Sequence, residues 1–563
     1  MKHLKEVAGK HKALITVFLA AGFFCTFLAN YAPFYFQRVV DNFANGTLTA
    51  VNIVVYSAVL FADYIMGYLR QYPERKLDDS IVQSLKLAAL RKMSVIDYLT
   101  YTKLGTGALI QRIENGAAAG RYILNNFYLR LARDLVPSMI FSIVFVFIIN
   151  RTIMIALVIS YIIMYMASNL LLKALYKVKE RILVNEEKFN HFLVRGFMEL
   201  VVFRTNRRFA KEIAKTEAAS KEIISSAVKM LMVHEAFFTI CAFFVFSIKI
   251  GLIVYGWITG DLTIGQIVAL LVLVDRTYEP IAVFNVVNVY YKLEKIAFAR
   301  YTEFLDAKED ARLTQGEEIG KINGNISFIN TGFNYDGREI FNDFSFHIGQ
   351  GKTTALVGES GSGKSTAVKL IVGLLQPHSG RIEVDGFDLS KINLNSYYKH
   401  IAYLPQEPPV FNGTLRENLV FDDAADDAML MMAIEKAGLS DLYAKLEKGL
   451  DTILGERGVN LSGGERQQLA LARLWFSDAS IVIFDEATSA IDNLTEEAVM
   501  QNVMNLLAGK TVIAIAHRLD SIKTFDNIFV FQDGRIIEQG CFSDLMDKRQ
   551  SFYDLYNRTN CYL

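Results

Sequence analysis

The octapeptide Gly358-Glu359-Ser360-Gly361-Ser362-Gly363-Lys364-Ser365 constrains the fold of this chain more than any other run. It follows Thr353-Thr354-Ala355-Leu356-Val357, an apolar β-run, and precedes Ala367-Val368-Lys369-Leu370-Ile371-Val372, a helix start. A glycine-rich loop between a strand and a helix lets backbone N–H groups curl around a row of phosphates. The helix N-terminus adds the positive end of its dipole. Lys364 brings a point charge to the β- and γ-phosphates, and the Ser365 hydroxyl is a candidate Mg²⁺ ligand. This part of the chain therefore reads as an α/β unit that binds a nucleotide triphosphate.

Four further motifs follow in order. They are Gln406, then Leu461-Ser462-Gly463-Gly464-Glu465, then Ile481-Val482-Ile483-Phe484-Asp485-Glu486, then His517. Ile481 to Phe484 is a buried-strand run that delivers Asp485 at its C-terminal end, where open α/β sheets place their sites, so Asp485 is a candidate Mg²⁺ ligand. Glu486 is then a candidate general base for an attacking water; the bland alternative is a helix N-cap neighbour without chemistry. His517 ends another apolar strand and by itself reads equally as a core histidine. Ser462 to Glu465 precede a helix pattern and form a second glycine-bearing helix N-terminus, again an anion site.

The combination resembles the ATPase domain of ATP-binding-cassette (ABC) transporters. The resemblance implies ATP and Mg²⁺ as cofactors, with Gly358 to Thr366 (Gly358, Glu359, Ser360, Gly361, Ser362, Gly363, Lys364, Ser365, Thr366) holding the phosphates. It gives Ser365, Gln406 and Asp485 to the metal, Glu486, His517 and Lys364 to catalysis, and Tyr335 to the adenine. In that family Ser462, Gly463, Gly464 and Glu465 serve the nucleotide held by a partner subunit, so a dimer follows. Ser489-Ala490-Ile491-Asp492 resembles the loop that communicates across that dimer. Gly455-Glu456-Arg457-Gly458 resembles a segment of the family's exporters that touches the membrane part.

Of the 563 residues 52% are hydrophobic, with mean hydropathy +0.25. The apolar residues concentrate before residue 293. Six stretches are expected to span a membrane as helices, at about 13–37, 48–69, 128–149, 152–172, 236–258 and 262–289, since a span needs about 20 residues. Lys2, Lys5, Lys10 and Lys12, with the basic segments after the second and fourth spans, place the N-terminus in the cytoplasm. Six crossings return the chain to the side where ATP is. The first span exceeds a signal-peptide core and no cleavage pattern follows it. Cys25, Cys241, Cys541 and Cys561 have no metal-type spacing and read as free thiols. Zero net charge gives no hint of a nucleic-acid partner.

The segments 70–127 and 173–235 read as long cytoplasmic helical rods, with turns expected near 107–119 and 202–208. Leu104 to Arg112 resembles the exporter pattern leading into the first coupling helix, but Gly116 follows Asn115 where an acidic residue is usual. Gly260 to Gln266 resembles the turn opening the sixth exporter span. The expected organisation is an all-α six-span membrane domain (1–305), a linker (306–324) and an α/β P-loop ATPase domain (325–563). The resemblance implies a half-transporter of the exporter type that pairs with a second half, an identical one in preference to a different one, and exports a small molecule, peptide or lipid by alternating access across the lipid membrane in which it resides; an N-terminal segment unlike an Arg-rich, acid-poor mitochondrial leader points to a bacterial plasma membrane. An exporter-shaped importer and a non-transporting ATP-gated assembly are the alternatives. Ionisable residues within spans are functional suspects: Asp63, Arg133, Lys249, Asp275, Arg276 and Glu279, with His234 and Glu235 behind them. Asp275 and Glu279 share a helix face, and Arg276 could simply pair with Glu279.

Overall fold

The computed structural model describes residues 1–104, 106–421, 425–455, 461–516 and 518–560. The chain divides into two compact units, Met1–Ser94 with Leu104–Ala307, and Val95–Lys103 with Lys308–Leu563.

The first unit is helical: α1 (Lys2–Lys10), α2 (Lys12–Ala44), α3 (Ala50–Met93), α5 (Thr106–Arg121), α6 (Val136–Ile149), α7 (Arg151–Met198), α8 (Leu200–Thr205), α9 (Phe209–Thr259) and α10 (Ile264–Leu305); α4 (Tyr98–Leu104), between α3 and α5 in the chain, falls in the second unit up to Lys103. Between α5 and α6 the helix continues in wider turns over Tyr122–Leu129 and Leu131–Leu135, where Arg130 N–H reaches back to the Asn125 carbonyl. Among the described residues four helical stretches are long and apolar enough to cross a membrane: Lys12–Ala44, Ala50–Met93, Leu109–Ile149 and Phe209–Thr259. Arg151–Met164 is a shorter apolar stretch at the start of α7. α2 packs along α3, α7 along α9, and α10 against α2, α5 and α6. Phe145, Val146, Leu157, Phe237, Leu270 and Val274 form part of the buried core between them.

Two sequence motifs find their physical reason here. Thr263 caps α10 reciprocally with Gln266, and Asp41 accepts from both the Thr263 hydroxyl and the Gly265 N–H at 2.8 Å. A side chain on Gly265 would meet the Gln37 carbonyl at 2.3 Å. Gly116, where an acidic residue is usual, faces the fully buried Tyr301 ring, and a Cβ there would sit 2.4 Å from Tyr301 Cγ.

The break in the first rod falls at Ser94 to Asp97, ahead of the expected 107–119, and α5 runs unbroken through Glu114 to Gly116. The second falls where expected, around α8 and the turn before Phe209.

The second unit holds β1 (Ile326–Tyr335), β2 (Arg338–Ile348), β3 (Thr353–Gly358), β4 (Ser379–Val384), β5 (Phe387–Asp388), β6 (Ile401–Leu404), β7 (Ile481–Asp485), β8 (Thr511–Ile515), β9 (Asn527–Gln532) and β10 (Arg535–Gly540). One sheet is antiparallel, in the order β2-β1-β4-β5; the other runs β10-β9-β3-β8-β7-β6, parallel except for the β10 edge. Ile481, Ile483, Ile513 and Ile515 face one core and Val482, Phe484, Val512 and Ala514 the other. Burial on both faces explains why these strands read as unbroken apolar runs. Tyr98 and Leu99 pack on the first of these cores, and Asp97 N–H donates to the Lys308 carbonyl. From Lys308 the stretch expected as a linker belongs to this unit. Within it Arg312 pairs with Asp310 and donates to the Gly373 carbonyl at 2.7 Å.

Candidate active site

The loop between β3 and α11 (Lys364–Ile371) has the geometry expected of a phosphate cradle. Gly358, Gly361 and Gly363 have φ of +141°, +83° and +109°, values that other L-residues rarely adopt. A Cβ on Gly358 would lie 2.1 Å from the Phe531 carbonyl, so the loop is held close to β9. Lys364 Nζ donates to the carbonyls of Gly358 and Glu359, both at 2.8 Å. Burial pushes the Lys364 ammonium below its usual range, and the nearby Glu486 and Asp485 carboxylates work against that shift. A cavity of about 210 Å³ opens here, lined by Ser360, Gly361, Gly363, Lys364, Ser365 and Thr366 together with Arg338, Ile340 and Glu486.

β7 brings the two carboxylates to this mouth. The Tyr403 hydroxyl donates to one Asp485 oxygen at 3.0 Å, and the Gln406 amide donates to a Glu486 oxygen at 2.8 Å. Glu486 adopts φ +54°, a left-handed conformation that turns the chain out of the strand. Gln406 Oε1, the Ser365 hydroxyl and Asp485 together offer oxygen donors of the kind a hard cation takes. Among the described residues no cluster of three His, Cys, Asp or Glu could hold a metal by itself.

Ser462 caps the helix Gly463–Ala472 reciprocally with Glu465: Ser462 N–H donates to Glu465 Oε2 at 2.6 Å, and Glu465 N–H to Ser462 Oγ at 3.2 Å. None of Ser462 to Glu465 lines the Lys364 cavity. Gln467, which sequence reasoning passed over, ties this helix to the stretch after Glu486. It accepts from Ala490 N–H at 2.8 Å and donates to the Ser489 hydroxyl at 3.1 Å. Tyr335 ends β1 against Phe333 at 4.8 Å, while Arg338 and Ile340 line the cavity. His517 and Glu456 to Asn460 lie outside the described residues.

A family model described as "ABC transporter" matches residues 341–489. The chain is 32% identical over 408 residues to the ATP-dependent lipid A-core flippase of Alcanivorax borkumensis, covering 69% of this chain and 68% of that protein. The chain belongs to the ABC transporter family. It is 40% identical over 307 residues to the mitochondrial iron-sulfur clusters transporter ATM1 of Candida glabrata; the match covers 53% of this chain and 42% of that relative's length. The structure of a bacterial Atm1-family ABC exporter with ATP bound matches it with TM-score 0.84 and 25% identity, over 99% of this chain and 98% of that one. The chain is accordingly an exporter-type half-transporter, a helical transmembrane region fused to an ATPase coupled to translocation.

The charged residues of this transporter's helical unit separate into two groups. Arg133 is 5% exposed, pairs with Asp134 and with Glu74 at 3.2 Å, and stacks over Phe18 at 4.4 Å. A Cβ on Gly22 would clash with its stem, so the packing around Arg133 is closed. Lys249 pairs with Asp275 at 2.6 Å. Asp63, Arg276 and Glu279 line a cavity of about 600 Å³ with Arg130, and among the described residues none of these four has an ion-pair partner. The Arg276–Glu279 pair that their spacing allows is not found among the described residues. Asp275 and Glu279 do share a face, and both line a second cavity of about 500 Å³. Cys25, Cys241 and Cys541 are free thiols; Cys561 lies outside the described residues.

Proposed function

We propose that this chain forms half of a dimeric exporter that hydrolyses ATP at two composite sites and moves an amphipathic solute outward by alternating access. The observation that carries the reading is the convergence of Lys364, Ser365 and Glu486 on one cavity, with Gln406 bonded to Glu486. Lys364 and the loop N–H groups hold the phosphates, and the Lys364 bonds to its own loop carbonyls are those that phosphate oxygens would replace. Ser365, Gln406 and Asp485 hold Mg²⁺, which supplies charge neutralisation at the phosphates when bound. Tyr403 fixes one Asp485 oxygen and so orients the carboxylate that would help hold the metal. Glu486, held by Gln406, orients and polarises the attacking water. His517 contacts the γ-phosphate and Tyr335 the adenine, on the family resemblance.

The composite site follows from the signature helix. Ser462 to Glu465 stand apart from their own chain's phosphate cavity, which supports their closing over a partner's nucleotide. α7 and α10 complete six membrane spans. N-terminus and ATPase face the cytoplasm of a bacterial plasma membrane in this reading, although one relative is mitochondrial. ATP-driven accumulation in sealed proteoliposomes tests it. Uptake by the wild type and none by Glu486→Gln is the expected result. Equal uptake by both would exclude the assigned chemistry, and ATP turnover without uptake would exclude autonomous export.

A further inference from the structure

The polar and the aromatic cavity of the helical unit meet at one turn of α10. Glu279 and Val283 line both. On one side stand Asp63, Arg130 and Arg276, outside ion-pair distance of any partner among the described residues. On the other stand Phe238, Phe246, Tyr278 and Met164, with the Lys249–Asp275 pair at the rim.

The backbone adds an acceptor to the polar side. Pro280 lies inside α10 and has no N–H for the carbonyl four residues back, that of Arg276. That carbonyl accepts from the Ser138 hydroxyl at 3.4 Å, and both Ser138 and Pro280 line the polar cavity. A cation entering there meets the carboxylates of Asp63 and Glu279 and this carbonyl. An anion meets the guanidinium groups of Arg276 and Arg130. Ionisable groups inside a membrane ordinarily pair with one another or with what passes them. Arg70 and Asp134 line the same cavity but pair with each other, with Arg133 and Glu74 paired beside them, so among the described residues Asp63, Arg130, Arg276 and Glu279 differ in standing outside ion-pair distance rather than in being charged.

We propose that the two cavities form one binding site for a zwitterionic amphipath, a molecule with an ammonium and an anionic group in its head and an apolar tail. The head occupies the polar cavity and the tail the aromatic one, with Glu279 at the junction. This rests on the transport reading above and names its substrate class.

The test uses the full-length chain in lipid nanodiscs and three probes of one chain length: decyl phosphocholine, decyltrimethylammonium and decyl sulfate. The readout is the concentration that half-maximally changes ATP turnover. The zwitterion is expected to act at about one-tenth the concentration of either singly charged probe, as one added charged contact implies. Glu279→Gln is expected to raise the value for the zwitterion and the cation about tenfold and leave the anion's in place. Arg276→Gln does the converse. Should either fail to fold, Asp63→Asn and Arg130→Gln carry the same charge logic. Singly charged probes as potent as the zwitterion, no response to any probe, or variants that shift all three alike would overturn the proposal. Uptake of the same probes into proteoliposomes separates the two readings. ATP-driven uptake of a singly charged amphipath in preference to the zwitterion keeps transport and removes the substrate class. The expected charge pattern without uptake keeps the class and removes transport.

Discussion

The two units use charge in opposite ways. In the ATPase unit the polar groups of the site are bonded to one another: Lys364 to its loop carbonyls, Tyr403 to Asp485, Gln406 to Glu486. In the helical unit one cluster is closed, with Arg133 against Glu74 and Asp134, while Asp63, Arg130, Arg276 and Glu279 line a cavity without ion pairs among the described residues. Bonded groups are pre-ordered, and a ligand replaces contacts whose geometry is already set. Unpaired groups in a low-dielectric span are costly, which leaves their balance to water or to a passing ligand. The first pattern suits fixed chemistry on one nucleotide, the second a succession of bound and released solutes.

The largest effect that could break this comparison is at Glu486. Glu486→Gln keeps the shape and removes the base, so steady ATP turnover is expected to fall by about 10²–10⁴-fold, while nucleotide binding measured by filter assay persists. Turnover within a few-fold of the wild type would return Glu486 to a structural turn residue. Next comes the contrast inside the helical unit. Arg133→Ala removes the buried member of this cluster and its stacking on Phe18, leaving the half-buried Glu74 and Asp134 to Arg70 alone, and a loss of about 1–3 kcal/mol is expected. Arg276→Gln breaks no ion pair among the described residues and is expected to cost less than about 1 kcal/mol. Thermal unfolding of both in nanodiscs checks this, and equal losses would show that Arg276 is as structural as Arg133.

What could be read from the sequence divides along the same line. The strands of the ATPase unit were legible because β7 and β8 bury both faces and so lack polar interruptions. The phosphate loop was legible because its chemistry is contiguous. Tyr403 was not, since its partner Asp485 stands 82 residues away and a lone tyrosine carries no signal. Gln467 was hidden in an ordinary helix pattern, although its place three residues after Gly464 is close to the motif. In the helical unit the lengths of the apolar runs were legible but the pairings were not. Lys249 meets Asp275 from a neighbouring helix, and only packing brings them together. The turn of the first rod was expected near 107–119. The chain instead breaks at Ser94 to Asp97, where neither Gly nor Pro marks it, and the contacts of Tyr98 and Leu99 with the second unit's core account for the break. Nor does any residue announce the wider helical turns at Tyr122 to Leu135.

A smaller effect sharpens the account of the ATPase unit. Gln467 is 3% exposed and bonds Ala490 and Ser489. Gln467→Leu keeps the volume but leaves the Ala490 N–H unsatisfied, at about 1–3 kcal/mol. The signature helix and the stretch after Glu486 are then expected to exchange amide hydrogens faster together, with ATP turnover reduced. Faster exchange in only one of the two would show that Gln467 does not couple them.

The smallest expected effect is a pH dependence away from the site. Asp526 accepts from the Thr353 N–H at 2.8 Å and the Thr353 hydroxyl at 2.9 Å, and pairs with Lys352 at 3.1 Å. The Thr353 backbone bond first, then the hydroxyl and Lys352, hold its carboxyl below the usual range. A carboxyl lowered on folding stabilises the native state above its unfolded pKa, near 4, and loses that contribution as pH falls through the lower folded value. Its side chain is 40% exposed, so solvent screening keeps the contribution under about 1 kcal/mol. The opening free energy of the Thr353 amide at the start of β3, followed by hydrogen exchange, is therefore expected to fall modestly from pH 7 toward pH 4 in the wild type. In Asp526→Asn it begins lower at pH 7 and changes less. The same slope in both would place the acid sensitivity of β3 elsewhere, and no slope in either would mean that the neighbouring bonds to Lys352 and Thr353 hold the strand without the charge.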